Sequence, residues 1–279
     1  MLSRKFSNTR RAPYNLMAGY YRIWTDTAGN PGGSQRMDDL PDCLDIAFVF
    51  PEGGERNEFY TMLNSTYAPT LQKRGTKVVK TVGIASLTNT NYPNTAAGYA
   101  SLAKYLVKYQ VTDYGLDGLD VDVEELSGTR LQKATGVFQE LSKLLGPKSG
   151  TGKLLIFDTN QSGANSLFRA VYSYVDYTLV QSYGRAASSY ETTWKTFQNY
   201  ITPATYMIGF SFNEGDNTWH DTDAPLSSSH AKAMATFQPS SGYKAGIFSY
   251  AIDRDGNNPP GSLSTVLAHT TGYASLSRR

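Results

Sequence analysis

Residues 117–124 read Asp-Gly-Leu-Asp-Val-Asp-Val-Glu, and Glu125 follows directly. Asp120, Asp122 and Glu124 alternate with Leu119, Val121 and Val123. Alternate side chains of a β-strand share a face, so three carboxylates point one way and the aliphatic residues the other. Acids crowded into a low dielectric cannot all ionise freely, so at least one carboxyl should hold its proton above the usual carboxylate range. A carboxyl kept protonated near neutral pH is what a general acid needs. A solvated acidic face does not fit, because the intervening residues are all Leu or Val. A calcium loop of the Asp-x-Asp-x-Asp-Gly kind fails at its sixth position, which is not glycine. Magnesium held by the triplet is the competing use, and catalysis by carboxylates on a buried strand is the leading one.

Such a strand needs others beside it. Eight short β-branched or aromatic runs span 14–23, 44–50, 77–85, 117–124, 153–160, 177–184, 206–212 and 243–252. Helical patterns fall between them, at 57–75, 95–110, 129–146, 165–174, 191–200 and 229–238. In the third, Leu131, Ala134, Val137, Phe138, Leu141 and Leu145 recur at the spacing of one helix face, and Gly146-Pro147 should stop it. Strands alternating with helices predict βαβ units and a parallel sheet. Eight of them over about 260 residues predict a single closed (β/α)8 barrel, of the α/β class. Its weakest unit is the first, where "GGSQRMDDLPD" carries only a short helix signal. The barrel is expected to span 14–279, behind a basic, flexible tail at 1–13. Only about thirty residues separate the seventh and eighth runs, too few for an inserted domain.

Composition narrows the partners. The chain has 279 residues, 18% of them charged, with a formal charge of +2, and no Lys/Arg stripe that would predict nucleic-acid binding. No apolar run is long enough to span a membrane. Cys43 is the only cysteine, so no internal disulfide forms, and it reads as a small core hydrophobe. His220, His230 and His269 share no metal-ligand spacing, so neither a metal nor a cofactor is expected, and surface roles are assigned to them. With 20 tyrosines, 25 glycines and few charges, the chain has the polar, aromatic loops common in carbohydrate-active proteins.

"DGLDVDVE" resembles the DGxDxDxE signature of family 18 glycoside hydrolases, which comprise chitinases and endo-β-N-acetylglucosaminidases on (β/α)8 barrels. The resemblance implies roles residue by residue. Glu124 matches the acid that protonates the glycosidic oxygen, Asp122 the aspartate that orients the substrate's 2-acetamido group, and Asp120 the one that modulates Asp122. It also implies a retaining, substrate-assisted mechanism through an oxazolinium intermediate. The sixth run reads "LVQSYGR", where Tyr183 fills the tyrosine position of the chitinase pattern Met-x-Tyr-Asp, Gln181 replaces Met and Gly184 replaces Asp. Gln-x-Tyr is similar to the endo-H and endo-F type endo-β-N-acetylglucosaminidases, which cut the core of N-linked glycans.

The resemblance and the run ends together define a candidate site. Asp120, Asp122, Glu124 and Tyr183 are assigned to catalysis. Substrate binding is assigned to Gln181, Asp117, Tyr20, Phe50, Phe212, Trp219 and Tyr250, with Tyr21, Trp24 and Phe248 as further aromatic candidates. Glu214 is a weaker rival acid, and "DRDGNN" (253–258) reads as a turn rather than a calcium loop. The expected substrates are N-glycans of glycoproteins or other GlcNAc-containing oligosaccharides, met as a monomer outside the producing cell. A chitinase, or a non-catalytic glycan-binding barrel, is the alternative. Residues 81–84 ("TVGI") and 247–250 ("IFSY") depart from chitinase patterns, which weakens the chitinase reading.

Overall fold

A computed structural model describes residues 15–212, 219–223, 225–255 and 267. Its eight strands are β1 (Leu16–Arg22), β2 (Ile46–Phe50), β3 (Lys77–Gly83), β4 (Gly118–Val123), β5 (Leu154–Thr159), β6 (Tyr177–Gln181), β7 (Tyr206–Ser211) and β8 (Gly246–Tyr250). Each pairs in parallel with its sequence neighbour, and β8 returns to β1, so the sheet closes into a barrel. All eight lie inside the runs expected from sequence. The tail at 1–13 and the segment after Asp255, apart from Leu267, lie outside the described residues.

Helices wrap the outside. α1 (Asn57–Met62) passes through a π turn (Leu63–Tyr67) into α2 (Ala68–Lys73). Phe59, Leu63, Tyr67 and Leu71 are all buried here, four residues apart. Four-residue spacing runs ahead of a 3.6-residue turn, and the wider π turn keeps the later pair on the buried face. α3 (Ala96–Gln110) is capped by Thr95, whose hydroxyl accepts from the Gly98 amide at 3.2 Å. α4 (Gly128–Leu141) buries Ala134, Val137, Phe138 and Leu141 as its spacing predicts, yet it ends five residues before Gly146. Leu145 is still buried, in the turn rather than the helix, and Gly146 there adopts a φ of 80°. α5 (Ser166–Val171), α6 (Tyr190–Phe197) and α7 (His230–Thr236) follow, while β1 and β2 are joined only by 3-10 turns. The connection from β7 to β8 is residues 212–245 and contributes α7.

The strand faces divide the apolar residues into two cores. Leu119, Val121 and Val123 join the layer between barrel and helices. Inside the barrel lies a separate cluster of Ala18, Tyr20, Ile46, Phe48, Val79, Ile156, Leu179, Met207, Ala245 and Phe248. The bottom of the barrel repeats one device. Asp45, Asp117 and Asp176 each stand just before a strand and accept the amide proton of the strand before it, from Met17, Val78 and Leu155, at 2.9 Å each. Those amides sit at strand starts, where the ladder leaves donors without partners. Asp117 also takes Gln72 and Lys77. It is therefore a structural cap at the end of the barrel opposite the mouth, and its assignment to substrate binding is corrected.

Gly209 on β7 shows how tightly the interior is filled. A Cβ built there would lie 2.2 Å from the Phe248 ring, which in turn packs against Tyr20 and Tyr183. Gly209→Ala must displace that ring, and overpacking of this kind costs about 1–3 kcal/mol. The expected outcome is a lower urea midpoint with an unchanged slope; an unchanged midpoint would show that the floor can yield.

Candidate active site

The inward positions near the ends of β4, β5 and β6 are polar. Asp120 is fully buried, and its Oδ2 accepts from the Tyr20 hydroxyl at 3.0 Å and the Thr81 hydroxyl at 2.9 Å. Asp122 sits two residues further toward the mouth, half-buried, and its Oδ1 accepts from Gln181 Nε2 at 3.3 Å. The same Nε2 donates to Oδ2 of Asp158 at 2.8 Å. Strand register explains the meeting, because Asp122 pairs with Asp158 across β4 and β5 and Gln181 ends the next strand.

Burial and crowding raise two acids of the β4 face, Asp120 and Asp122, and with them Asp158 on the neighbouring strand. Desolvation, then the charge of Asp122, pushes Asp120 up to about 8, against the pull of Thr81 and Tyr20. Desolvation, then Glu124, raises Asp122, and Gln181 opposes it. Asp158 is raised by desolvation and then by Asp122 and Asp120. The Tyr20 hydroxyl is pushed above its ordinary value by burial and by the charge of Asp120. Oδ1 of Asp120 and Oδ1 of Asp158 are buried without a hydrogen-bond partner, the costly side of such a cluster.

Above the carboxylates opens a pocket of about 420 Å³ lined by Tyr20, Phe50, Asp122, Asp158, Asn160, Gln181, Tyr183, Arg185, Trp219 and Tyr250. Tyr183 and Tyr250 lie nearly parallel with centroids 6.2 Å apart, and Phe50 meets Tyr250 edge-on at 5.5 Å. Flat aromatic walls of this kind suit the C–H face of a sugar ring. Glu124 is exposed just beyond the end of β4, close enough to Asp122 for its charge to raise that carboxyl.

Gly184 adopts a φ of +68°, and a Cβ there would lie 2.8 Å from the Trp219 ring. Its amide donates to both oxygens of buried Asp221, which also holds the Ser211 amide and contacts His230 Nδ1 at 3.0 Å. A glycine is thus required where chitinases carry aspartate. His230 is not merely a surface residue, since it braces this turn through Asp221. His220 lies 3.6 Å from Asp223, and among the described residues no group of His, Cys, Asp and Glu is arranged to hold a metal.

Most of the sequence-derived site comes together here, with instructive exceptions. Phe212 packs outside the barrel, 5.5 Å from Phe210, because its parity on β7 turns it toward the helices; its substrate role is corrected. Tyr21 likewise faces outward and donates to Asp26 at 2.7 Å. Phe248 belongs to the buried floor, while Tyr250 reaches the pocket. Cys43 is half-buried rather than a core residue. Asp253 is paired with Arg22 at 2.5 Å, and Glu214, His269 and residues 256–258 lie outside the described residues.

Sequence reading missed Asp158, Asn160, Arg185 and Thr81. For Asp158 a signal existed: alternation along "LLIFDT" puts Leu154, Ile156 and Asp158 on one face, the test that exposed β4.

Residues 19–249 match the family model of the endo-β-N-acetylglucosaminidase EndoS TIM-barrel domain. The chain belongs to that family. Among similar proteins, endo-β-N-acetylglucosaminidase F2 of Elizabethkingia meningoseptica is 38% identical over 253 residues, covering 88% of this chain and 75% of that protein. The endo-β-N-acetylglucosaminidase EndoS of Streptococcus pyogenes serotype M1 is 35% identical over 87% of this chain, which spans 30% of that longer protein. A crystal structure of an endo-β-N-acetylglucosaminidase from Cordyceps militaris superposes with a TM-score of 0.89 at 52% identity, over 94% of this chain and 92% of that one. A chitinase from Pseudoalteromonas aurantia, 15% identical with a TM-score of 0.64 over 92% of this chain and all of that one, shares the fold. Within the endo-β-N-acetylglucosaminidase family the chain is a glycoside hydrolase on a TIM barrel.

The buried acids carry a stability cost with a definite sign. A carboxyl raised on folding favours the folded state below its unfolded value and loses that contribution as pH rises through its folded value. For Asp120 the window runs from 3.8 to about 8. Asp120→Asn, which keeps an acceptor for Tyr20 and Thr81, should therefore melt higher than the wild type at pH 8. Its advantage should shrink as pH falls toward 4. Melting curves at both pH values check this; equal curves throughout would contradict the burial cost assigned to Asp120.

Proposed function

We propose that the protein hydrolyses the GlcNAc-β1,4-GlcNAc bond in the core of N-linked glycans by a retaining, substrate-assisted route. The observation that carries the reading is Asp122, held by Gln181 at the mouth of the aromatic pocket with Glu124 two residues beyond it. In the first step the substrate's own acetamide oxygen attacks C1 while the glycosidic bond breaks. Glu124 gives its proton to the departing oxygen. Asp122 faces the positive charge that develops on the oxazolinium ring and keeps the acetamide in line, with the Tyr183 hydroxyl as a donor to the acetamide oxygen. Water then attacks C1 and returns its proton to Glu124, reopening the acetamide with retained configuration. The charge of Asp122 helps keep the proton on Asp120, so the deeper acid sets no second charge beside Asp122, and no cofactor enters the balance.

Gln181 and Gly184 favour a glycan core over chitin. Gln181 spends both amide protons on carboxylates, and Gly184 makes room for Trp219 at the rim. The Cordyceps militaris protein has also been crystallised as a double mutant in complex with fucosyl-N-acetylglucosamine-Asn, at 51% identity and a TM-score of 0.90. That complex supports extending the reading to glycans whose Asn-linked GlcNAc carries fucose.

Mass spectrometry of glycoproteins with and without core fucose, and of chitotetraose, tests the substrate. Loss of the glycan with one GlcNAc, fucosylated or plain, left on Asn is expected; cleavage of chitotetraose alone would sink the proposal. Glu124→Gln should abolish hydrolysis while leaving the fold intact. Asp122→Asn should lose most hydrolysis yet still consume a preformed sugar oxazoline, and normal hydrolysis by either variant would refute the assigned role.

A further inference from the structure

Asp158 has no part in the two-step scheme, yet it is 2% exposed, faces the pocket, and lies opposite Asp122 in the β4–β5 register. Gln181 has one amide nitrogen and two protons to give. One goes to Asp158 at 2.8 Å, the other to Asp122 at 3.3 Å. With both protons engaged, the amide cannot turn without stripping a buried carboxylate oxygen of its donor, a loss that is expensive in a dry site. The deeper and shorter bond is the one to Asp158. We propose that Asp158 is a positioning residue: it anchors the Gln181 amide, and through the second N–H it sets the carboxylate of Asp122 for the acetamide. This rests on the role assigned to Asp122 above.

Tyr20 faces Asp158 from β1, Asp120 and Asp122 from β4, and Gln181 from β6. Burial, then the charges of Asp122 and Asp120, push the Asp158 carboxyl well above the ordinary range and so favour its neutral form. A neutral acceptor suits the task. It grips the amide without setting a second negative charge against Asp122, which would hinder ionisation of the group that must meet a cation.

The test compares Asp158→Asn, Asp158→Leu and Asp122→Asn with the wild type on an N-glycosylated glycoprotein. Asparagine keeps a carbonyl acceptor without a charge; leucine fills the space but offers no acceptor. Asp158→Asn should stay within about threefold of the wild-type kcat, with the acid limb of the kcat/KM profile unmoved. Asp158→Leu should lose about 10- to 100-fold in kcat with little change in KM, the loss expected when a reacting group is misplaced. Equal losses in both Asp158 variants, or wild-type turnover by Asp158→Leu, would overturn the proposal. So would an acid limb shifted downward in Asp158→Asn, because that shift means a charge was removed from beside Asp122. If the leucine variant does not fold, the asparagine variant's acid limb decides alone. Normal hydrolysis by Asp122→Asn would instead remove the reading beneath the proposal, a result distinct from failure of the Asp158 variants.

Discussion

Asp120, Asp122 and Asp158 turn their carboxyls into a barrel interior where water screens them poorly, and much of the local structure answers that constraint. Each is raised by desolvation first and by a neighbouring carboxylate second. A small set of donors makes the arrangement tolerable. Tyr20 and Thr81 serve Asp120, and Gln181 serves Asp122 and Asp158 together. The balance of burial against donors divides the acids by depth. Burial holds the deeper two above the ordinary carboxylate range, while Asp122, nearer the mouth and held by an amide, is the one placed to carry charge toward a ligand. A site built this way gives up stability for chemistry, a common exchange where reactive groups are buried.

The scaffold supports that cluster from below and from the side. Phe48 stacks on Tyr20 at 4.4 Å and Phe248 meets it edge-on, so the hydroxyl that reaches Asp120 is fixed by aromatic packing. Phe248 has its place only because Gly209 carries no side chain. At the rim, Asp221 ties the Gly184 turn to the end of β7, and Trp219 lies against that turn. Floor and cluster are thus joined by direct contacts, and the rim turn follows Gln181 by three residues along the chain.

Much of this was legible in the order of residues. The eight strands fall within the eight apolar runs, and the alternation in β4 correctly separates the outward Leu119, Val121 and Val123 from the inward acids. Periodicity found the buried face of α4 but not its end, because Leu145 stays in the core after the helical hydrogen bonds stop. Phe212 and Asp117 were misplaced for a shared reason. Proximity to a strand end suggests the mouth, but one residue's parity sends Phe212 outward, and the six residues of β4 put Asp117 at the opposite end of the barrel. Its partner there, the Val78 amide, belongs to another strand.

Local pattern, then, determined the eight-stranded barrel, the inward acids of β4 and the pairing of Gln181 with Tyr183 on one strand face. Those features depend on periods of two and 3.6 residues, which are properties of a single segment. Tertiary structure decided that Asp158 stands opposite Asp122, that one amide serves both, and that Trp219 leans on Gly184. These contacts join residues between 23 and 59 positions apart. They follow from strand register and barrel closure, which no segment specifies alone.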